Sequence, residues 1–213
     1  IGAHLLQAEL EDTQVEDGYV KAPSGQISLI DVARTWYHRP QDLPADVDRQ
    51  GLEVTAGYKP RRDDGTFSYA AHAAVLAIDP HFGTVEIIKY VVVEDGGVLI
   101  NPMIVDGQIL GGAAQGIGTA LYEEMPFDEN GQPLFSTLAD YVLPGATEVP
   151  NIHIEHMETP SPYSLFGQKG IGEGGAIGSV AAVTNAVNDA LHQVGAEVSE
   201  TPMTPRRILT AIQ

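Results

Sequence analysis

Hydrophobic positions change period several times along the chain, and each change predicts an element. Ile1, Ala3, Leu5, Leu6 and Leu10 recur at helical spacing. No methionine or capping residue precedes them, so the chain is expected to be part of something longer. Glu16-Asp-Gly-Tyr19 carries the Asp-Gly pair that favours a two-residue hairpin turn. Ser28-Leu-Ile-Asp31 has the form of a capping box, whose side chains satisfy the free amides of a helix start; the helix runs through Val32, Ala33 and Trp36 and ends at Pro40 and Pro44. From Arg39 to Gln50 the chain is polar and proline-containing, as a surface connection would be.

Two long β-rich runs follow, Tyr69 to Asp79 and Thr84 to Glu94, joined by Pro80-His-Phe-Gly83. They predict an antiparallel hairpin, and apolar residues on both faces predict a sheet covered on both sides. After Asn101-Pro102 a helical pattern extends to about Glu124, Asp128-Glu-Asn-Gly131 predicts another turn, and Asn151 to Glu158 alternates like a strand. A loop from Thr159 to Gly175 leads into a helix marked by Ile177, Val180, Ala181, Thr184, Val187 and Leu191. Thr204-Pro205 opens a short terminal helix with a hydroxyl cap and a proline in its first turn. Strands and helices do not alternate regularly, so the expected fold class is α+β, with a possible division into subdomains of about residues 1–100 and 101–213.

Composition narrows the chemistry. A formal charge of −18, without clustered cations, argues against a nucleic-acid partner. The apolar runs are too short for a membrane span, which needs roughly 18 residues. The chain has no cysteine, so it can form no disulfide, thiolate metal site or thiol nucleophile, and the reducing cytoplasm is the expected location.

Two segments concentrate candidate chemistry. Asp106-Gly-Gln-Ile-Leu-Gly-Gly-Ala-Ala-Gln-Gly-Ile-Gly118 is a helical stretch with five glycines, although each glycine in a helix costs about 1 kcal/mol relative to alanine. Gln108, Gly111, Gln115 and Gly118 are spaced to share one face. Either the glycines let another helix pack closely, or an amide on that face contacts a polar cofactor. The second segment, Ser164 to Gly178, sets Glu173 among glycines just before a helix. Glycines keep the backbone accessible there, and the free N–H groups of a helix start favour anions, so Glu173 suits a general base beside an anionic cofactor. An acidic residue that merely improves the helix start electrostatically would look the same. Gly170-x-Gly172-x-x-Gly175 also matches a dinucleotide fingerprint, but neither the preceding strand nor the acidic residue ending a second strand is present. Tyr163 and Phe166 could line a substrate pocket or anchor the loop to the core. The seven histidines are scattered; His153 and His156 are close in sequence but face opposite sides of a strand, so a metal site from this chain alone is not expected.

Together these segments resemble the molybdenum hydroxylase family of xanthine dehydrogenase, aldehyde oxidase and the large subunits of bacterial carbon monoxide dehydrogenases. The likeness rests on Val93 to Pro102, Val105 to Gly118, Leu121-Tyr-Glu-Glu124, Asp140 to Pro144, Lys169-Gly-Ile-Gly-Glu173 and Asn185 to Ala190, in family order across about half the chain. Gly97 departs from relatives that often carry cysteine there. The resemblance implies the carboxy-terminal lobe of a molybdopterin-binding subunit, inactive alone, which takes part in hydroxylating an aldehyde or an N-heterocycle. It implies that Glu173 is the base, taking a proton from a hydroxyl on molybdenum. It further implies that Gln108 and the backbone of Lys169, Gly170, Ile171 and Gly172 contact the cofactor, in the form of molybdopterin cytosine dinucleotide. The implied partners are the remainder of the molybdenum subunit, an iron-sulfur subunit, an FAD subunit and a small-molecule substrate. A non-catalytic assembly or binding module of the same fold is the alternative.

Overall fold

The computed structural model describes residues 1–47, 51–59 and 65–213. The end of the expected surface connection, residues 48–50, falls outside them. Contacts divide the chain into two units, Ile1–Lys59 and Pro60–Gln213. The hairpin runs that precede residue 100 therefore belong with the helices that follow it, and a boundary near 100 is not where the contacts part.

In the first unit, helix α1 (Gly2–Leu6) precedes strands β1 (Gln14–Glu16), β2 (Tyr19–Ala22) and β3 (Gly25–Ser28), which pair antiparallel in that order. The opening helix is shorter than its pattern suggests: Gln7 turns left-handed at φ 52°, and Leu10 starts a separate 3-10 turn. Asp17 and Gly18 both have positive φ, 51° and 79°, as the turn between β1 and β2 requires. Helix α2 (Leu29–His38) opens on the expected cap, where the Asp31 amide donates to Ser28 Oγ at 3.0 Å and Ser28 Oγ donates to the Asp31 carboxylate at 2.7 Å.

The second unit holds β4 (Tyr69–Ile78), β5 (Val85–Asp95), α3 (Pro102–Leu121), β6 (Ile152–Met157), α4 (Gly174–His192) and α5 (Pro205–Ile212). Its sheet has the order β4-β5-β6; β4 and β5 form the expected antiparallel hairpin, while β6 runs parallel to β5. The hairpin turn is held by Asp79, whose Oδ1 accepts from the amides of His81 and Phe82, and Gly83 adopts φ +68°. Helices α3 and α4 lie against each other and against this sheet, and Tyr90, Val92, Ile109, Ile117, Val183 and Leu191 form a core removed from water. The expectation of cover on both faces is met on one only among the described residues: Val75 and Ile88, which alternate away from the helices, are 56% and 62% exposed. The helices of this unit supply one apolar layer, and one layer covers one face. The fold is α+β, with one parallel β5–α3–β6 crossover inside it.

Candidate functional site

The glycines of α3 divide by function according to what surrounds them. A methyl group added at Gly112 would lie 2.7 Å from the amide nitrogen of Ala176 and 2.9 Å from the Gly175 backbone. One added at Gly116 would collide with Ser179, and one at Gly175 with the backbone of Ile109. Small residues four apart on each helix thus bring α3 and α4 together. Gly107 and Gly111 meet nothing within 4 Å, so the helix there is left open rather than packed. Close packing thus explains Gly112 and Gly116, whereas Gly107 and Gly111 leave part of the helix face open. Gly118 does not share the open face: it is buried, and a methyl there would collide with Glu123. It lies about 20° round the axis from Gly111 but about 10 Å further along it, where Glu123 and Pro144 close over the helix.

The open stretch forms one wall of a cavity of about 460 Å³ that Gln108, Gly111, Gln115, Gly172, Glu173 and Ile177 help to line. The cavity lies wholly in the second unit. Gln108 Nε2 donates to the Gly172 carbonyl at 3.2 Å, so residues 64 apart in sequence tie the α3 segment to the glycine loop. Glu173 is the N-cap residue of α4, yet its side chain makes no cap hydrogen bond. It is exposed and has no hydrogen-bond or ion-pair partner among the described residues. Any service of this carboxylate to the helix start is therefore electrostatic alone.

The loop ahead of Glu173 is strapped to the end of β5. Val98 donates to the Gly167 carbonyl at 3.1 Å, and Lys169 donates through its amide to the Gly96 carbonyl at 2.8 Å. Gly97 adopts φ +68°, and a β-carbon there would run into the Gly167 carbonyl, so a side chain at this position requires the strap to shift. The Lys169 ammonium is buried against Asp95 Oδ1 at 2.9 Å and sits 4.8 Å from the centre of the Tyr69 ring. Burial pushes the Asp95 carboxyl up, but hydrogen bonds from Thr159, the Lys169 ammonium and the Gly97 amide outweigh it and hold it well below the usual carboxylate range. With Lys169 so anchored, the amides of Gly170, Ile171 and Gly172 donate to no group among the described residues. The Gly172 N–H, two primary amides and open glycine faces form a donor-rich wall that fits the heteroatoms and phosphates of a pterin cofactor.

Phe166 is 63% exposed and lies outside both this cavity and the core, so it does not anchor the loop to the core. His153 and His156 face opposite sides of β6 as the alternation requires. His153 pairs with Glu155 at 3.0 Å, whereas His156 lies between two carboxylates: its Nδ1 is 2.5 Å from Glu94 Oε1 and its Nε2 is 2.8 Å from Asp106 Oδ1. Sequence reasoning missed this cluster. A buried glutamate closing an apolar strand was the available signal, but its partner follows from the parallel register Glu94 to His156, which no local pattern announces. Among the described residues no group of three or more His, Asp or Glu side chains is arranged to hold a metal ion.

Comparison with known proteins places the chain in a family. Residues 1–150 match the model of a molybdopterin cofactor-binding domain, and the chain belongs to that family. The nicotine 6-hydroxylase large subunit of Paenarthrobacter nicotinovorans is 40% identical over 99% of this chain and 26% of its own length. The carbon monoxide dehydrogenase large chain of Hydrogenophaga pseudoflava is 35% identical over 100% of this chain and 26% of its own. The crystal structure of quinoline 2-oxidoreductase from Pseudomonas putida 86 matches with a TM-score of 0.78 and 41% identity, covering 100% of this chain and 27% of that one. The chain spans about a quarter of the length of these relatives. The family match ends before Glu173, but these relatives span that residue as well.

Proposed function

We propose that this chain is the carboxy-terminal lobe of the molybdopterin-binding subunit of a molybdenum hydroxylase, and that Glu173 is its catalytic base. The observation that carries the proposal is the Gln108 to Gly172 hydrogen bond, which sets an unpartnered carboxylate beside open glycines and the free Gly172 amide in one cavity. Gln108 and the backbone of Lys169, Gly170, Ile171 and Gly172 hold the cofactor, in the cytosine dinucleotide form; Lys169 does so chiefly by fixing the loop through Asp95 and Gly96. When bound, the cofactor supplies the oxygen-transfer and two-electron chemistry. Glu173 accepts a proton as the substrate carbon is hydroxylated, and its exposure on the cavity wall leaves it reachable.

Nicotine and quinoline, named by two relatives, are both N-heterocycles, which favours that substrate class over an aldehyde. The remainder of the subunit completes the pocket, and an iron-sulfur subunit and an FAD subunit carry the electrons away in the cytoplasm. The test is Glu173→Gln in the assembled enzyme. Near-normal molybdenum content with turnover abolished is expected, and turnover comparable to the parent enzyme would refute the assignment.

A further inference from the structure

We propose that His156, clamped between Glu94 of β5 and Asp106 of α3, is a positioning residue that fixes the rotation of α3 and so presents Gln108 to the cavity. The inference rests on the assignment of Gln108 to cofactor binding. Asp106 lies two residues before Gln108, and at about 100° per residue Gln108 stands some 200° round the helix from it. A tether on the sheet side therefore sets the angle of the cavity side.

The clamp works only with an additional proton. Both imidazole nitrogens lie within hydrogen-bond distance of a carboxylate oxygen, 2.5 Å at Glu94 and 2.8 Å at Asp106. A neutral imidazole has one N–H and one lone pair, so one of the two contacts would set a lone pair against a carboxylate. The trio therefore holds one proton more than a neutral imidazole and two carboxylates would carry. Glu94 is fully buried, and among the described residues its Oε2 has no partner and His156 is its single counter-charge; Asp106 is 49% exposed and can turn to water. Loss of the proton accordingly frees Asp106 and leaves Glu94 bound.

Glu94 from β5 and Asp106 from α3 are the charged groups that bear on His156; His153 and Glu155 of its own strand lie on the opposite face, paired with each other. Burial alone would lower the His156 pKa, but the hydrogen bonds to Glu94 and Asp106 outweigh it and raise it. A raised folded value means that the clamp is complete below the ordinary histidine value, about 6.5, and is lost as pH rises through the folded value.

The deciding variant is Asp106→Asn, whose amide can donate to the Nε2 of a neutral imidazole and so keep both contacts without the additional proton. In the intact enzyme, molybdenum retention on dialysis is measured from pH 6 to 10. Amide-exchange protection of residues 105–108 is followed in cofactor-free enzyme over the same range. The parent enzyme should lose cofactor roughly tenfold faster at the alkaline end, the ratio expected for one charge-assisted hydrogen bond, with protection falling in parallel. Asp106→Asn should show flat profiles in both measurements, and His156→Phe should be weak throughout. If His156→Phe does not fold, Asp106→Asn still decides. An Asp106→Asn profile that tracks the parent enzyme overturns the inference. If instead Gln108→Ala keeps its cofactor while the exchange profiles behave as described, the cavity assignment fails and the clamp stands.

Discussion

Replacing Gly111 and Gly112 by alanine, one at a time, separates the two uses of glycine in α3. Both changes remove a glycine from a helix interior and gain about the same intrinsic helix stability, roughly 1 kcal/mol, so this contribution cancels in the comparison. What remains is the space around the new methyl. At Gly111 nothing lies within 4 Å, whereas at Gly112 the methyl would sit 2.7 Å from Ala176 N and 2.9 Å from the Gly175 backbone. Backbone atoms of a packed helix cannot rotate aside, so α3 and α4 must separate, an overpacking that costs about 1–3 kcal/mol. For a unit of this size each kcal/mol moves Tm by about 2–4 °C, which places Gly112→Ala about 2–12 °C below Gly111→Ala in calorimetry. Gly111→Ala should be the more stable protein and the poorer cofactor binder, because its methyl enters the cavity wall. Equal Tm values for the two variants would refute the division of glycines into packing and open positions.

Gln108→Ala should reduce molybdenum content with little change in Tm, since the side chain is exposed and makes a single hydrogen bond to Gly172; unchanged metal content and activity would contradict its role. Lys169→Met leaves the Asp95 carboxylate buried without its cation, and removing one partner of a buried pair costs about 3–5 kcal/mol in urea unfolding. A loss within about 0.5 kcal/mol, as for an ordinary surface change, would refute the strap. Because the folded Asp95 carboxyl lies below its unfolded value of about 3.9, its contribution is complete above that pH and is lost as pH falls further. Urea midpoints should therefore drop below about pH 4 in the parent protein and less steeply in Asp95→Asn.

The legible parts of this protein are those written in neighbouring residues. The Asp17-Gly18 turn, the Ser28 to Asp31 box, the hairpin around Gly83, the start of α3 after Asn101-Pro102 and the Thr204 cap of α5 each depend on a few consecutive side chains, and each formed where expected. Gln108 and Glu173 could be singled out because glycines crowd both segments, although only the folded chain brings them to one cavity. The strap from Lys169 to Asp95 and the clamp on His156 join residues 74 and 62 positions apart, and periodicity carries no information about pairing over such distances. The exposed face of the sheet was misjudged for a related reason. Apolar residues on both sides of β4 and β5 show that two faces suit burial, not that this chain supplies both covers.

The parallel pairing of β6 with β5 has a consequence for how the molecule is made. The β4–β5 hairpin joins neighbouring segments and can form as soon as both have left the ribosome. By contrast, β6 must find β5 across α3 and a long connection, and α4 must then find α3 across residues as far apart as Gln108 and Gly172. Such distant contacts pay loop-closure entropy before they contribute stability, which slows folding. The two walls of the cavity, carried by α3 and by the start of α4, can thus meet only after the first turn of α4 has been synthesised. The part of a site that this cavity provides is therefore absent from a growing chain that ends before α4.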